Sequence, residues 1–563
     1  MKHDRPLSEG YVGKSINKRM RTGIAETRPG TRVPADFNPG YNPVKTLVGA
    51  GTFNSNAWGE LTMIAEESRN YVWACRDGAT AIHVPLLDSS TFGGFSTVRA
   101  WFCQAFSECL LLRGGLSPLH YNGLNPSPGF DVVFKLDPLD TSTNLIPNAG
   151  YGIPFNDRIL LQWGKDGIVI TDVLDYTSYD NVYGLIRINA AAGESIVSIH
   201  PYNNDSVLVF MTRSIHRLYN FTADLSLARQ EVVTDEIGGI GREGAVQVGA
   251  DIIFLSRNGF YRVNQVFENQ TVAAPIPISD KIAPLIEGIN WEQINLIGFA
   301  SLAFLGDYVY CAVGIGRDYP RNLLVYNTIT SEWESVDAWD DATVHMNFLR
   351  LAIVDGERRL LGVKMTAPPR IYLTEEGITD MTGTGTDGSG TTNGVNDILE
   401  TRGYAGNTDP NSQKRFRNVA VTVRTRNPSF KISALFDGYF EEKMLTPSPV
   451  TKDLNKFYVW GHPDFTGSPF DEQKRQDYYT GTEADWPATE MANAIALGGS
   501  IDLPPGVNAL MAGGPKTQST ETRQIRRMGR WCSIRIQNTQ GACDIVGVAV
   551  EYQGARRDSL THA

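Results

Sequence analysis

The chain has 563 residues, of which 42% are hydrophobic, and its 55 glycines and 29 prolines are typical of an ordered protein rich in turns. No apolar run approaches the ~18–20 residues of a membrane-spanning helix, and the polar N-terminus lacks a signal-peptide core, so we expect assembly in a cytosol-like compartment. The formal net charge of −11 argues against a dedicated DNA-binding protein.

Residues 1–45 are polar, basic and punctuated by glycine and proline. Such a segment cannot bury enough apolar surface to form a core, which predicts an extended arm that orders against a partner. Its basic cluster is Lys18, Arg19 and Arg21. We consider these three residues candidates for contacts with an acidic neighbouring subunit, the alternative being a solvated polar face.

Residues 46–380 repeat a β-hairpin pattern. In "VGADIIFLSRNGFYRVNQV" an apolar run meets a polar turn containing Asn258-Gly259, and a second apolar run follows. Comparable segments contain an acidic residue that serves as an anchor, and successive anchors lie 49, 48, 46, 56 and 48 residues apart: Glu108, Asp157, Asp205, Asp251, Asp307 and Asp355. Hairpins repeated at this spacing predict a β-propeller of about seven blades. The alternative is an irregular β-sandwich, which shows turns every ~8–12 residues without the longer period.

The remaining chain loses the repeat but keeps strand patterns. Residues 381–400, with "TGTGTDGSGTTNGVND", predict a flexible linker or surface loop. Residues 401–563 contain "FRNVAVTVRTR", "SFKISALFDGYF", "WCSIRIQN" and "CDIVGVAVEYQG", which predict a smaller antiparallel β-domain. One helix is predicted in "ADWPATEMANAIAL", after Asp485. The basic run "RQIRRMGR" provides further subunit-contact candidates: Arg523, Arg526, Arg527 and Arg530.

Motifs for nucleotide and hydrolase chemistry are missing from the sequence. "GKS" resembles the end of a phosphate-binding loop, but Ser8 stands where that motif requires glycine. No GxSxG or HExxH motif occurs, and Asp172, Asp175 and Asp180 fit turns better than a calcium loop. We therefore expect neither enzymatic activity nor a cofactor or metal.

Histidine and cysteine patterns favour structural functions. The six cysteines form no CxxC pair and are predicted to be reduced core residues. Histidines that lie in or beside presumed strands are interpreted as hydrogen-bonded structural residues: His83, His120, His200 and His216.

Several of these segments, in chain order, resemble the propeller region of bacteriophage tail proteins, the nozzle or tail tubular protein B-like components of short-tailed phages. They are "NDRILLQWGKDGIVITDVLDYTSYDN", "SIVSIHPYNNDSVLVFMTRSIHRLY", "GADIIFLSRNGFYRV" and "ISDKIAPLI". The resemblance covers residues 150–290 well and residues 410–555 loosely. The matching positions are Asp172 to Asp180, Val209-Phe210, Ser214-Ile215, Phe254 to Gly259 and Ser279 to Ile282.

The resemblance implies an all-β structural virion protein and identifies no catalytic residue. It implies a closed ring of six copies in the phage tail, assembled in the host cytoplasm, that forms the DNA exit channel. Portal or adaptor proteins, other tail proteins and tail fibres would be its neighbours, and genomic DNA would pass without sequence-specific binding. An acidic channel wall would let phosphate slide, since it would not hold the DNA backbone.

Two other classes of function remain alternatives. A carbohydrate-binding propeller for host recognition could use some of the 10 Trp, 22 Tyr and 24 Phe residues for stacking on sugars. A cellular scaffold propeller of the kelch or WD type is the second alternative. The chain lacks the repeated blade motifs of that class, since Trp339-Asp340 is a single WD pair.

Overall fold

The computed structural model describes residues 12–21, 23–34, 47–66, 71–86, 99–123, 131–132, 146–189, 191, 193–220, 224–268, 275–292, 294, 300–316, 321–339, 344–365, 370–376, 379–382, 391–405, 412–437, 441–445, 450–451 and 517–554. Regular structure in these ranges is nearly all strand, which confirms the predicted all-β class. None of the described helices is long and apolar enough to cross a membrane. The helical segments of the described ranges include the 3₁₀ turns Leu225–Leu227 and Asp280–Ile282 and the short α-helices Val263–Glu268 and Ala283–Glu287.

Between residues 47 and 374 the described strands form seven consecutive antiparallel units. Units one and two are Leu47–Ser55, Gly59–Glu66, Tyr71–Arg76 and Ala79–Pro85, then Trp101–Ala105, Glu108–Leu112, Leu119–Tyr121 and Asp131–Val132. Unit three is Gly152–Phe155, Arg158–Trp163, Gly167–Asp172, Asp175–Tyr179 and Leu185–Arg187. Unit four is Ile196–Asn203, Ser206–Met211, Ile215–Tyr219 and Arg229–Thr234. Units five to seven are Ala245–Val248, Asp251–Ser256 and Gly259–Arg262, then Ser301–Leu305, Tyr308–Val313, Asn322–Asn327 and Glu332–Ala338, then Phe348–Val354, Glu357–Lys364 and Arg370–Thr374.

The acidic anchors of the sequence repeat lie at the turn into the second strand of units two to seven. Asp157 and Asp355 adopt left-handed φ angles of 58° and 54° there, a conformation that Asp tolerates better than most residues. The hairpin of unit five turns on Gly259, whose φ is 129°. A Cβ at that position would lie 2.2 Å from the Ser279 hydroxyl, which instead accepts a hydrogen bond from the Phe260 amide at 3.0 Å. One sequence repeat therefore corresponds to one antiparallel unit.

Neighbouring units contact each other through their first strands. The Ala100 amide donates to the Val48 carbonyl at 3.0 Å, and a Cβ at Gly49 would lie only 2.2 Å from the Ala100 carbonyl oxygen. The Leu302 amide similarly donates to the Glu243 carbonyl at 2.9 Å. Units one and seven share one hydrophobic cluster, which includes Leu47, Ile64, Trp73, Phe348, Leu361 and Leu373. The first and last units therefore pack directly on each other.

The N-terminal segment differs from the predicted arm, because its described part forms strands within the fold. Val12–Ile16 pairs antiparallel with Asp397–Thr401 and parallel with Glu332–Ala338 of unit six. Thr31–Arg32 pairs with Arg370–Thr374 and so extends unit seven by one outer strand. Between them, Lys18–Arg21 and Ile24–Thr27 form a hairpin whose second strand lies beside Cys532–Gly554. A polar segment without its own core can do this because it pairs with the edge strands of sheets whose cores are supplied elsewhere.

The C-terminal region is an antiparallel sheet built on two 23-residue strands, Lys414–Phe436 and Cys532–Gly554. The four strand segments predicted in residues 401–563 therefore form two long strands rather than four short ones. The part of the expected linker that is described also contains strand, since Thr379–Thr382 pairs with Thr391–Gly394. The helix predicted after Asp485 lies outside the described residues. Further strands are Asp397–Thr401, Glu441–Met444, Val450–Thr451 and Thr517–Gly529, and the buried core includes Phe416, Val421, Ile432, Ile534 and Ile536.

Candidate functional site: a buried ionic junction

Lys18 lies at the centre of a buried polar cluster between the N-terminal hairpin and the C-terminal sheet. Its side chain is fully buried, and its ammonium lies 2.7 Å from Asp397 Oδ1 while donating to the Cys543 carbonyl at 2.7 Å. The Thr27 hydroxyl and the Asn538 amide donate to Asp397 Oδ2 at 2.6 and 3.2 Å. Burial raises the pKa of Asp397, although Lys18 and these hydrogen bonds act to lower it. The ionised form of Asp397 is therefore stabilised chiefly by the positive charge of Lys18.

Arg19 connects the N-terminal hairpin to units six and seven. Its guanidinium donates to both carboxylate oxygens of Asp337, at 2.9 and 2.6 Å, and also contacts Glu375. The rings of Tyr308 and Tyr310 lie 5.9 and 5.8 Å from its central carbon. Burial alone would lower the pKa of Arg19, but attraction to the two carboxylates outweighs it and raises the pKa well above its usual value.

Two further arginines continue the junction along the same segment. Arg28 donates to both oxygens of Asp380 at 2.9 and 2.7 Å, and its guanidinium carbon lies 5.1 Å from the Trp339 ring. Arg32 is closer to solvent and pairs with Glu376 at 2.8 Å and with Asp355. We call this set the ionic junction: Lys18, Arg19, Arg28 and Arg32 with Asp337, Asp355, Glu375, Glu376, Asp380 and Asp397.

The ionic junction is suited to holding parts of the fold together. Its acids come from unit six, unit seven, residues 375–376 and strand Thr379–Thr382 that follow unit seven, and strand Asp397–Thr401, whereas its bases all come from residues 18–32. The inner carboxylates already face cations and hydrogen-bond donors, so they are poorly placed to act as bases or metal ligands. Sequence reasoning identified Lys18 and Arg19 as a basic cluster but missed Arg28, Arg32 and every acidic partner. No local spacing signals these residues, because their partners lie more than 300 positions away.

The other predicted contact residues lie on different elements. Arg21 is paired with Ile24 in the N-terminal hairpin, and its side chain is outside the described set. The second basic set lies along and just after Thr517–Gly529, where Arg523 is half-buried and lies 3.1 Å from Glu521. Three members of that set are exposed: Arg526, Arg527 and Arg530. Lys18 and Arg19, by contrast, are buried within their own chain, and contact of the exposed set with another subunit stays a prediction.

The histidine environments differ from those of hydrolase sites. His216 Nε2 lies 3.0 Å from the Ser214 hydroxyl, which resembles the start of a catalytic triad. In a catalytic triad the carboxylate binds the imidazole nitrogen that is remote from the serine. Here the Ser214 hydroxyl itself donates to Glu194 at 2.5 Å, and the Gln230 amide lies 2.9 Å from the remote nitrogen of His216. His120 pairs with Glu108 at 2.6 Å, and the Tyr176 hydroxyl donates to the same carboxylate at 2.5 Å. These contacts of His120 and His216 join strands and units, as predicted. Nε2 of His200, by contrast, is buried without a hydrogen-bond partner in the described part of the chain, and the side chain of His83 lies outside the described residues.

His200 provides a test by pH. Burial lowers its pKa to about 4, and its ring packs edge-on against Phe210 at 5.6 Å. Because the folded pKa is below the unfolded value, this residue's stabilisation is present above about pH 6.5 and is lost as pH falls towards 4. After a discount for partial exposure, we expect a loss of about 2 kcal/mol over that range. Urea titrations at about pH 6.5 and pH 4 would measure the free energy of unfolding of the native protein and of His200→Gln. The variant should lose less stability on acidification, and equal losses would show that His200 does not cause the effect.

Acidic and thiol side chains also occupy structural positions. Asp175 accepts from the Thr177 amide at 2.7 Å, and Asp180 accepts from the Val182 amide at 2.7 Å, as expected for turn residues. Within the described ranges no group of three or more His, Cys, Asp or Glu side chains is placed to hold a metal ion. All six cysteines are buried thiols outside any disulfide, which confirms that they are reduced core residues, and burial raises the pKa of Cys103 to about 12.

No protein-family model matches the chain, and no curated protein matches it. Among solved structures, it is similar to YCF48 from Cyanidioschyzon merolae, with 14% identity and a TM-score of 0.38 over 62% of this chain and 99% of that one. It is also similar to virginiamycin B lyase from Staphylococcus aureus, with 11% identity and a TM-score of 0.35 over 58% of this chain and 94% of that one. A third likeness is to the extracellular domain of a hybrid two component system from B. thetaiotaomicron, with 8% identity and a TM-score of 0.37 over 61% of this chain and 41% of that one. At these TM-scores, nothing about this chain's activity or partners follows from the likenesses.

Proposed function

We propose that this chain is a structural protein of a phage tail, similar to nozzle proteins, and that its seven antiparallel units close into a seven-bladed propeller. Closure is supported by the hydrophobic cluster that units one and seven share and by the contacts between successive first strands. The outer strand Thr31–Arg32 supports it further, because it joins the N-terminal segment to the last unit. The phage role is supported by the ordered sequence resemblance across residues 150–290.

The ionic junction is the observation that carries the proposal. A subunit of a static channel needs fixed joints between its parts, and this chain fixes the joint between propeller and C-terminal sheet with paired strands and buried ion pairs. Separating the two parts would leave these buried charges without their partners, so the joint resists opening. We infer a subunit that serves as a rigid platform for neighbouring tail proteins and fibres.

Ring assembly would use the exposed arginines of the C-terminal sheet. Arg526 and Arg527 are exposed cations in a protein of net charge −11, so an acidic surface of the next copy is a suitable partner. The resemblance implies six copies, and a closed ring satisfies every such contact. A ring of acidic subunits would also conduct DNA with little adhesion.

Mass photometry and negative-stain electron microscopy of the purified protein test this function. We expect a ring of six copies that binds duplex DNA weakly even at low salt. The double variant Arg526→Glu/Arg527→Glu should remain folded but fail to form the ring, whereas Arg257→Glu, an exposed change in the hairpin turn of unit five, should not affect assembly. A strictly monomeric native protein, tight salt-dependent DNA binding, or a position in the virion away from the tail axis would overturn the proposal.

A further inference from the structure

One buried glutamate, Glu243, interacts electrostatically with three arginines from different units. Arg99 precedes the first strand of unit two, Arg242 and Glu243 precede that of unit five, and Arg350 lies in that of unit seven. Arg350 donates to both oxygens of Glu243, at 2.8 and 2.6 Å, and the Ser301 hydroxyl donates to the same carboxylate at 2.7 Å. The hydrogen-bonding capacity of Glu243 is thus largely taken up by Arg350 and Ser301.

Arg350 and Arg242 are also bonded to the backbone of other units. Arg350 donates to the Ala50 carbonyl at 3.0 and 2.7 Å, which joins unit seven to unit one. Arg242 donates to the Gly150 carbonyl at 2.8 Å, and its guanidinium carbon lies 5.9 Å from the Tyr151 ring. Both guanidinium groups are therefore held in place by the fold.

Arg99 is different, because part of its hydrogen-bonding capacity is unused. Its guanidinium carbon lies 4.4 Å from the centre of the Phe348 ring, a ring that Arg350 approaches to 5.4 Å. Nε and Nη2 of Arg99 are buried and have no hydrogen-bond partner in the described part of the chain. Burial lowers the pKa of Arg99 to about 10; Glu243 opposes this shift, whereas Arg242 and Arg350 add to it. A buried cation with open donors beside two like charges is unfavourable unless an anion completes the cluster.

We propose that Arg99 and Arg242, with the positive charge of Arg350 beside them, form a binding site for a small oxyanion of the size and charge of inorganic phosphate. Three positive charges face one carboxylate, so the cluster has an excess of two positive charges when all four groups are ionised. Adjacent N–H groups of a guanidinium match two oxygens of a tetrahedral oxyanion, and Arg99 has two N–H positions unused. Arg99 as a whole residue is partly exposed, so solvent reaches its immediate surroundings.

Thermal unfolding of the full chain in phosphate, with chloride at matched ionic strength as reference, tests this site. We expect the native midpoint to rise with phosphate along a saturating curve, and Arg99→Gln to lose this response with an affinity at least about tenfold weaker. In phosphate-free buffer Arg99→Gln should unfold no earlier than the native protein, because the change removes an unpaired buried charge. Arg257→Gln, in the exposed hairpin turn of unit five, should keep the native response.

A purely structural function of Arg99 predicts the opposite pattern. Phosphate would then raise the midpoints of the native protein and of Arg99→Gln alike and without saturation, as an excluded salt does, and Arg99→Gln would unfold earlier in both buffers. If Arg99→Gln does not fold, Arg99→Lys keeps the charge but not the paired donors, and its phosphate affinity measured by calorimetry should fall about tenfold. An unchanged affinity in Arg99→Lys, or equal midpoints of the native protein in phosphate and chloride, would overturn the proposal.

Discussion

Replacement of Lys18 by Met should lower the free energy of unfolding by about 3–5 kcal/mol, because it leaves the buried Asp397 carboxylate without its cation. The deficit should become smaller as pH falls. Without Lys18, the carboxyl is expected to take up a proton more readily in the folded protein, and the neutral form tolerates burial. Urea titrations followed by tryptophan fluorescence at two pH values would measure both effects.

Two further variants separate the ion pair from side-chain size. Lys18→Met combined with Asp397→Leu removes both charges and should recover most of the lost stability, since an apolar pair replaces a buried ion pair at little cost. Lys281→Met removes an ion pair with Glu332 whose side chains are 43% and 48% exposed, and should change stability by less than about 1 kcal/mol. If Lys18→Met behaved like Lys281→Met, the junction would not stabilise the fold.

Replacement of Phe254 by Asp should unfold several units together. Phe254 is fully buried, with the rings of Phe210 in unit four and Tyr261 in unit five at 5.0 and 5.8 Å. Loss of the ring alone costs about 3–5 kcal/mol, and a buried carboxylate adds a further penalty. Because the first strands of neighbouring units pack on each other, the damage should spread beyond unit five.

Limited proteolysis and circular dichroism would measure the extent of this loss. Val209→Asp, in the cluster that units three and four share, should give the same result. The matched control is Val182→Asp, because Val182 is 72% exposed and the new carboxylate would remain in water. A stable folded fragment that lacks only unit five would show that the units do not depend on one another.

The repeating units were predictable because their information is local. Each anchor acid precedes an apolar strand at a tight turn, and turn preference and strand alternation both act over a few residues. The long C-terminal strands were harder to predict, since Asn427-Pro428 lies inside Lys414–Phe436 and proline usually ends a central strand. The sequence therefore indicated separate strands where the structure has a single one.

The candidate site was only partly predictable. Lys18 and Arg19 stand out as basic residues in a polar segment, but their burial depends on acids that lie 300 to 400 positions away. Arg28 forms the same kind of paired contact with Asp380, yet nothing in its neighbours indicates this. Such contacts depend on the tertiary fold, which local composition does not reveal. The composition of residues 1–45 therefore predicted a segment that packs against another molecule, whereas its described part packs within its own chain.

The pairing of the N-terminal hairpin with the last long strand affects the order in which the chain can fold during synthesis. Lys18 and its acceptor at Cys543 are separated by 525 residues, and Ala25 pairs with Ile545. At about 5–20 residues per second, a ribosome needs roughly half a minute to two minutes to cover that distance. During this time the emerged segment has no partner strand in the C-terminal sheet, and its basic, glycine- and proline-containing sequence keeps it from aggregating. The segment can reach its final position only in a chain that has been translated through residue 545.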